Sequence, residues 1–243
     1  MTKEELSKRT ARLPMVDGER RGDDGAMYRV KWLQPLPIDF DPEAHQYTWL
    51  PTGEVMSHSV TTILRASKDP KTLQIFEDTK HIWAPRGTYV HSCLEQFLQG
   101  TPKEELLGGQ YDDWVRPLLD YPLWDTFEPI ALEYCVCDLR RNIGGSLDVL
   151  GWDHLLDVMV LLDLKTLGRS GRPYSTHAQL GGYLSMLIDH HKLIDHHKLV
   201  VDECLTMWAA RGEAHLGDRQ SPTECLEKWE DAYDFWNSQQ EEL

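Results

Sequence analysis

GGSLDVLGWDHLLDVMVLLDLKT, residues 144–166, is the stretch on which the fold turns. It reads as two strands joined by a short turn. The first strand carries Asp148 and the second ends Asp163-Leu164-Lys165. Residues two apart on a strand share a face, so Asp163 and Lys165 project together. With the turn centred near Leu155 and Leu156, Asp148 lies opposite Asp163, close enough for both carboxylates to grip one ion. Two acids and a lysine at the end of an apolar strand are costly unless something sits among them. The expectation is a divalent metal and a phosphate.

Upstream of this hairpin, residues 129–139 (PIALEYCVCDL) alternate as a strand, with Glu133 set among smaller residues. Downstream, GRSGRPYS reads as a flexible loop carrying Arg169 and Arg172. A helix follows over residues 174–190, with Ala178, Gly182 and Met186 along one seam and Gln179 and Tyr183 sharing another face. Residues 199–208 (LVVDECLTMW) read as a fourth strand. The last helix starts at Ser221-Pro222-Thr223-Glu224 and repeats Trp229, Ala232, Tyr233 and Trp236 as a core or interface stripe. From the end of the 174–190 helix to the start of the fourth strand, IDHHKL occurs twice in tandem, at 188–193 and 194–199. Its histidines and aspartates define no closed ligand set, so a local duplication in a solvated loop or helix extension is expected rather than a zinc site.

Working toward the amino terminus, residues 102–126 give a looser helical pattern limited by Pro117 and Pro122. Arg86-Gly87-Thr88 opens a helix whose stripe is Val90, Leu94, Phe97 and Leu98, and His91 and Glu95 share one face of it. Taken alone, such a histidine reads as a satisfied core residue. A separate helix is expected from Asp69-Pro70, a short one capped by Ser59, and a hairpin over residues 45–56. Residues 1–27 are polar and of mixed charge, and are expected as a mobile arm before a single domain at 28–243.

The totals narrow the class. With 243 residues, 41% apolar and 27% charged, the chain can bury a full core. There is no long apolar run for a membrane span, and the first residues lack the apolar core of a secretory signal. Five cysteines in a chain of this length make no disulfide framework, so a reduced, cytoplasmic protein is expected. The net charge of −15 argues against nonspecific coating of DNA, whose binding is driven by lysine and arginine.

In order, the elements give a mixed α/β layout, and the chain resembles the PD-(D/E)XK nuclease superfamily in its RecB-type and phage exonuclease branch. The likeness rests on Arg86-Gly87-Thr88 with His91, Glu133, Gly145-Ser146-Leu147-Asp148, Asp163-Leu164-Lys165-Thr166, and Gln179 with Tyr183. His45-Gln46-Tyr47 and the run Ser59 to Leu64 resemble the phage members. The resemblance implies a restriction-endonuclease-like core, a mixed sheet of four to five strands flanked by helices. It implies Mg²⁺ or Mn²⁺ on Asp148, Asp163, the Leu164 carbonyl and His91, with the imidazole favouring Mn²⁺. Lys165 would orient the attacking water or steady the scissile phosphate. Glu133 would be an outer acid or the ligand of a second ion, with Glu95 a weaker candidate. Gln179, Tyr183, Arg169 and Arg172 would hold DNA by its phosphates.

The activity implied is that of a DNA exonuclease in phage or bacterial recombination or repair, leaving 5′-phosphates. A catalytically silent DNA-end binding module and a metal-dependent endonuclease are the alternatives. Some relatives carry an iron–sulfur cluster on four cysteines, one before the core and three after it. The cysteine layout here does not match, and no cluster is expected. Ring-forming relatives make a homo-oligomer an expectation, beside a recombination partner protein.

Overall fold

The computed structural model describes residues 13–22, 25–169, 171–195 and 200–241. Within the expected arm, residues 15–21 form a strand. Strand β1 (Met15–Arg21) pairs antiparallel with β2 (Met27–Leu33) over seven residues. Most of its side chains remain exposed, which is why its composition imitates a solvated tail. The arm's first twelve residues lie outside the described residues.

Strands β3 (Ile38–Asp41), β4 (Gln46–Trp49) and β5 (Glu54–Val55) form a small antiparallel sheet. A two-residue strand β6 (His58–Ser59) then leads into helix α1 (Val60–Arg65), where the Ser59 hydroxyl accepts from the Thr62 amide as an N-cap. Helix α2 (Pro70–Leu98) is capped by Asp69 and starts with proline in its first turn. It merges the two helices expected on either side of Pro85. A proline provides no amide to the carbonyl four residues back, which here belongs to exposed His81 and is open to water, so the helix passes through. The looser region resolves into α3 (Lys103–Leu106), α4 (Asp112–Leu119) and a 3₁₀ turn at Pro122–Asp125.

The main sheet is built from β7 (Phe127–Asp138), β8 (Ile143–Asp153), β9 (Val158–Thr166), β10 (Glu203–Ala210) and β11 (Glu213–Leu216), joined by β6. β7, β8 and β9 run antiparallel, β10 lies parallel to β9, and β11 turns back on β10. The fourth strand thus begins four residues later than the sequence pattern places it, and β11 is an addition to the expectation. Helix α5 (His177–Asp195) makes the crossover between β9 and β10, and α6 (Pro222–Glu241) ends the described chain. Among the described residues the result is a mixed α/β fold with a six-stranded sheet and six helices. The first IDHHKL copy lies at the end of α5, whereas the tail of the second, residues 196–199, lies outside the described residues. No helix among the described residues is long and apolar enough to cross a membrane.

Apolar layers cover both faces. Leu147, Leu161 and Tyr134 pack with Leu180, Leu184 and Trp229 of α5 and α6. Val160, Leu162, Leu164 and Met207 pack with Val90, Leu94 and Leu98 of α2. Helices α5 and α6 approach closely at Gly181, where a Cβ would stand 1.9 Å from the Cys225 carbonyl oxygen. Backbone cannot swing aside as a side chain can. Gly181→Ala is therefore expected to cost about 2–3 kcal/mol, a fall of roughly 5–10 °C in melting temperature, read by calorimetry.

The partners of β8 place the site. β7 follows one edge along its length; on the other, β6 pairs only with Ile143 and Gly144, and β9 only from Val149 to Asp153. Between those two ladders β8 and β9 splay apart, and Asp148 stands at the split.

Candidate metal centre

Three acids stand in one row across β7, β8 and β9. The pairs Leu132↔Val149 and Tyr134↔Leu147 bracket Glu133 and set it opposite Asp148. One step beyond the last β8–β9 pair, Val149↔Leu162, Asp148 stands opposite Asp163, the register read from the sequence. The Glu133 alignment depends on a shift between Pro129 and Ala131. Without that extra residue Leu147 would face Glu133, because a one-residue slip exchanges the faces of a strand. Glu133 also has a left-handed backbone, φ 43°. That conformation costs a non-glycine residue about 1 kcal/mol or more, and it occurs here within the acid cluster.

His91 reaches this row from α2. Its Nδ1 lies 3.5 Å from Asp148 Oδ1 and 3.6 Å from Glu133 Oε1. One donor atom from each of the three residues falls within 4.8 Å of the other two. The second Asp148 oxygen accepts the Leu164 amide at 2.5 Å, a side chain completing what the splayed ladder leaves open. Burial alone would pull the His91 pKa down, but the Asp148 and Glu133 carboxylates outweigh it and push it up to about 10. Asp148 moves the other way: burial opposes ionisation, and the neighbouring His91 and Lys165 charges hold it below the usual carboxylate range. Glu133 is raised, first by burial, with His91 opposing. In the ion-free protein the imidazolium neutralises the carboxylates. A divalent cation suits the same donors and must displace that proton.

This exchange has a measurable sign. The His91 pKa is raised from 6.5 to about 10, so its stabilising contribution is complete below pH 6.5 and is lost as pH rises toward 10. In EDTA the melting temperature is expected to fall between pH 7 and 9.5. Mn²⁺ or Mg²⁺ should remove most of that fall, because a metal-bound histidine no longer titrates there. An equal fall with and without metal would separate His91 from the ion.

Asp163 plays a different part from the one expected. It is 1% exposed, and Lys165 Nζ lies 2.8 Å from its Oδ1 and 2.6 Å from its Oδ2. The Oδ2 approach lacks hydrogen-bond alignment, leaving that buried oxygen without a donor. Burial raises the Asp163 pKa to about 6, with Lys165 opposing and Asp148 adding. The Lys165 ammonium is desolvated, yet Asp163 and Asp148 hold its pKa above the ordinary lysine value. Glu133, rather than Asp163, therefore completes the tight donor set with His91 and Asp148. Asp163 anchors Lys165 and keeps one oxygen in reserve. Lys165 Nζ also lies 3.5 Å from the Leu164 carbonyl, the expected backbone ligand.

His91, Glu133, Asp148 and Lys165 border a cavity of about 280 Å³. Gln179 and Tyr183 line its α5 side, where Gln179 Nε2 donates to the Tyr183 hydroxyl at 3.0 Å. Tyr183 is buried, and a Cβ on Gly145 would come 2.8 Å from its ring. It is thus a packed part of the cavity wall. Arg169 and Arg172 are exposed on the loop after β9, outside the cavity lining. Glu95 accepts from Gln99 Nε2 at 3.1 Å and does not line the cavity either. The larger cavity, about 360 Å³ beside Tyr89, Cys93 and Leu106, holds no metal-ligating set.

Sequence reasoning gave no role to several residues found here. Phe40, His45 and Tyr47 from β3, β4 and their connection form the opposite wall, with Ser59 and Thr61 below them. The pattern His45-Gln46-Tyr47 in a hairpin was the one signal for this wall; Phe40 had none. Arg86 is 7% exposed and lies over the Trp114 ring, 5.2 Å from its centroid, with a buried Nε that finds no acceptor. No protein-family model matches this chain, and no curated protein does.

Proposed function

We propose that the chain is a metal-dependent nuclease that hydrolyses phosphodiester bonds, acting as a DNA exonuclease and leaving 5′-phosphates. The observation that carries this reading is the His91–Glu133–Asp148 donor cluster bordering one cavity with Lys165, which Asp163 holds from behind the lining. The run of β7, β8 and β9, the α5 crossover and parallel β10 supports a restriction-endonuclease-like core. One imidazole nitrogen and several carboxylate oxygens suit Mn²⁺ or Mg²⁺. A thiolate-seeking ion has no comparable set among the described residues.

His91, Glu133 and Asp148 would hold the ion. The bound cation would acidify a water and shield the charge that gathers on the phosphate. Lys165 stays protonated, keyed by Asp163, and its Nζ borders the cavity where a scissile phosphate oxygen would need a donor. Hydrolysis adds the water oxygen to phosphorus and breaks the bond to the 3′ oxygen, which leaves protonated.

The test uses end-labelled linear DNA and closed-circular DNA, each with Mg²⁺, Mn²⁺ or EDTA. Metal-dependent release of short products from linear DNA, with circles left intact, is the expected result. Nicking of circles would make it an endonuclease. Binding of ends with no cleavage in either metal would favour the silent module.

A further inference from the structure

The cavity wall facing the donor cluster is aromatic, and nothing in the hydrolysis calls for it. Phe40 and Tyr47 are register partners on β3 and β4, their rings stacked 4.6 Å apart at 25°. Tyr47 is buried and seated over Gly144, where a Cβ would come 2.6 Å from the ring. One face of Phe40 is therefore taken. The His45 ring stands edge-on, 5.5 Å from Phe40 and 6.2 Å from Tyr47. A ring lying over the second face of Phe40 would be roughly twice as far from Tyr47 as from Phe40. His45 thus sits beside the stack, leaving that face uncovered by either ring. The turn is held in shape: His45 has a left-handed backbone, φ 52°, and the Asp41 carboxylate accepts the Glu43 and Ala44 amides at 2.8 and 3.0 Å.

We propose that Phe40 is the platform for one unpaired nucleobase of the strand being cut, so that the site takes single-stranded or frayed ends in preference to intact duplex. This rests on the nuclease reading and names its substrate class. Charge supports it. The chain carries a net −15, and among the described residues Lys165, already paired with Asp163, is the one lysine or arginine lining the cavity. With so few cations, phosphate contacts supply little binding, and stacking is the other sequence-tolerant source. A base inside a duplex has both faces covered, so only an unpaired one can lie on Phe40.

The experiment measures binding of fluorescein-labelled oligo-dT and of a blunt duplex hairpin in Ca²⁺, with Mg²⁺ cleavage followed separately. Phe40→Ala is expected to weaken single-strand binding roughly 5- to 150-fold. Phe40→Leu, which keeps apolar packing without a π face, should lose comparably, and Phe40→Trp should not. A single abasic position in the oligonucleotide should reproduce the loss in the wild type and cost nothing further in Phe40→Ala. Wild-type binding by both Phe40→Ala and Phe40→Leu would overturn the platform, as would an abasic penalty undiminished in them. Wild-type protein that binds the strand through Phe40 yet cuts no DNA in Mg²⁺ or Mn²⁺ would overturn the nuclease reading instead.

Discussion

Asp148→Asn is expected to remove divalent-ion binding and strand cleavage together while the chain stays folded. Asp148 is the centre of the acid row, with Glu133 across one strand boundary and Asp163 across the other. One of its oxygens faces His91 and the other holds the Leu164 amide. An asparagine oxygen can still accept that amide, so the splayed strands keep their link. What is lost is the negative charge that favours a cation over the His91 proton. Cleavage should fall roughly 10³-fold or more, since groups acting as a unit fail together. Manganese affinity, followed by calorimetry, should fall in parallel. The His91 pKa, read from its ring proton shifts, should drop in the ion-free variant, because the largest influence raising it is gone. Cleavage lost with metal affinity unchanged would move Asp148 from ion holding to another task.

Lys165→Met is expected to separate chemistry from ion binding. Lys165 is not in the tight donor set, so metal affinity should stay within a few-fold while cleavage falls by about 10³-fold. The variant has a second effect that a surface lysine would not have. Asp163 is 1% exposed, and Lys165 is the cation beside it. Breaking a buried pair on one side costs about 3–5 kcal/mol, because the surviving charge is left without compensation. The pH dependence follows from the raised Asp163 pKa, about 6 with the lysine present and higher without it. A carboxyl whose folded pKa exceeds its unfolded value stabilises the fold at low pH and loses that contribution as pH rises through the folded value. The destabilisation should therefore be smaller at pH 5 than at pH 8. Lys165→Met/Asp163→Asn should recover much of the stability and none of the activity. Thermal unfolding at both pH values and single-turnover cleavage check the two halves.

The hairpin was legible because two apolar strands and a four-residue turn fix a register, and that register puts Asp148 and Asp163 side by side. The final helix was legible from its cap and aromatic spacing. Glu133 was visible as a strand residue and, through the resemblance, as an outer acid or second-ion ligand, but its place directly opposite Asp148 was not. That place depends on one extra residue near Ile130 and on a left-handed backbone, neither of which has a side-chain signature in this strand. Helix α2 was read as two because proline usually ends a helix; here the orphaned carbonyl belongs to exposed His81. Strand β1 reads as a tail in sequence because its exposed face is as polar as a disordered segment. The aromatic wall escaped notice since Phe40 meets Tyr47 across a strand pairing that neither residue's neighbours announce.

The account depends on a cation held between His91, Glu133 and Asp148, and crystals grown with Mn²⁺ can be read at a wavelength where manganese scatters anomalously. An anomalous peak is expected among the three side chains, within about 2.2 Å of the His91 nitrogen and the carboxylate oxygens, and absent from Asp148→Asn crystals. A peak elsewhere in the molecule, or none with Mn²⁺ at millimolar concentration, would contradict it.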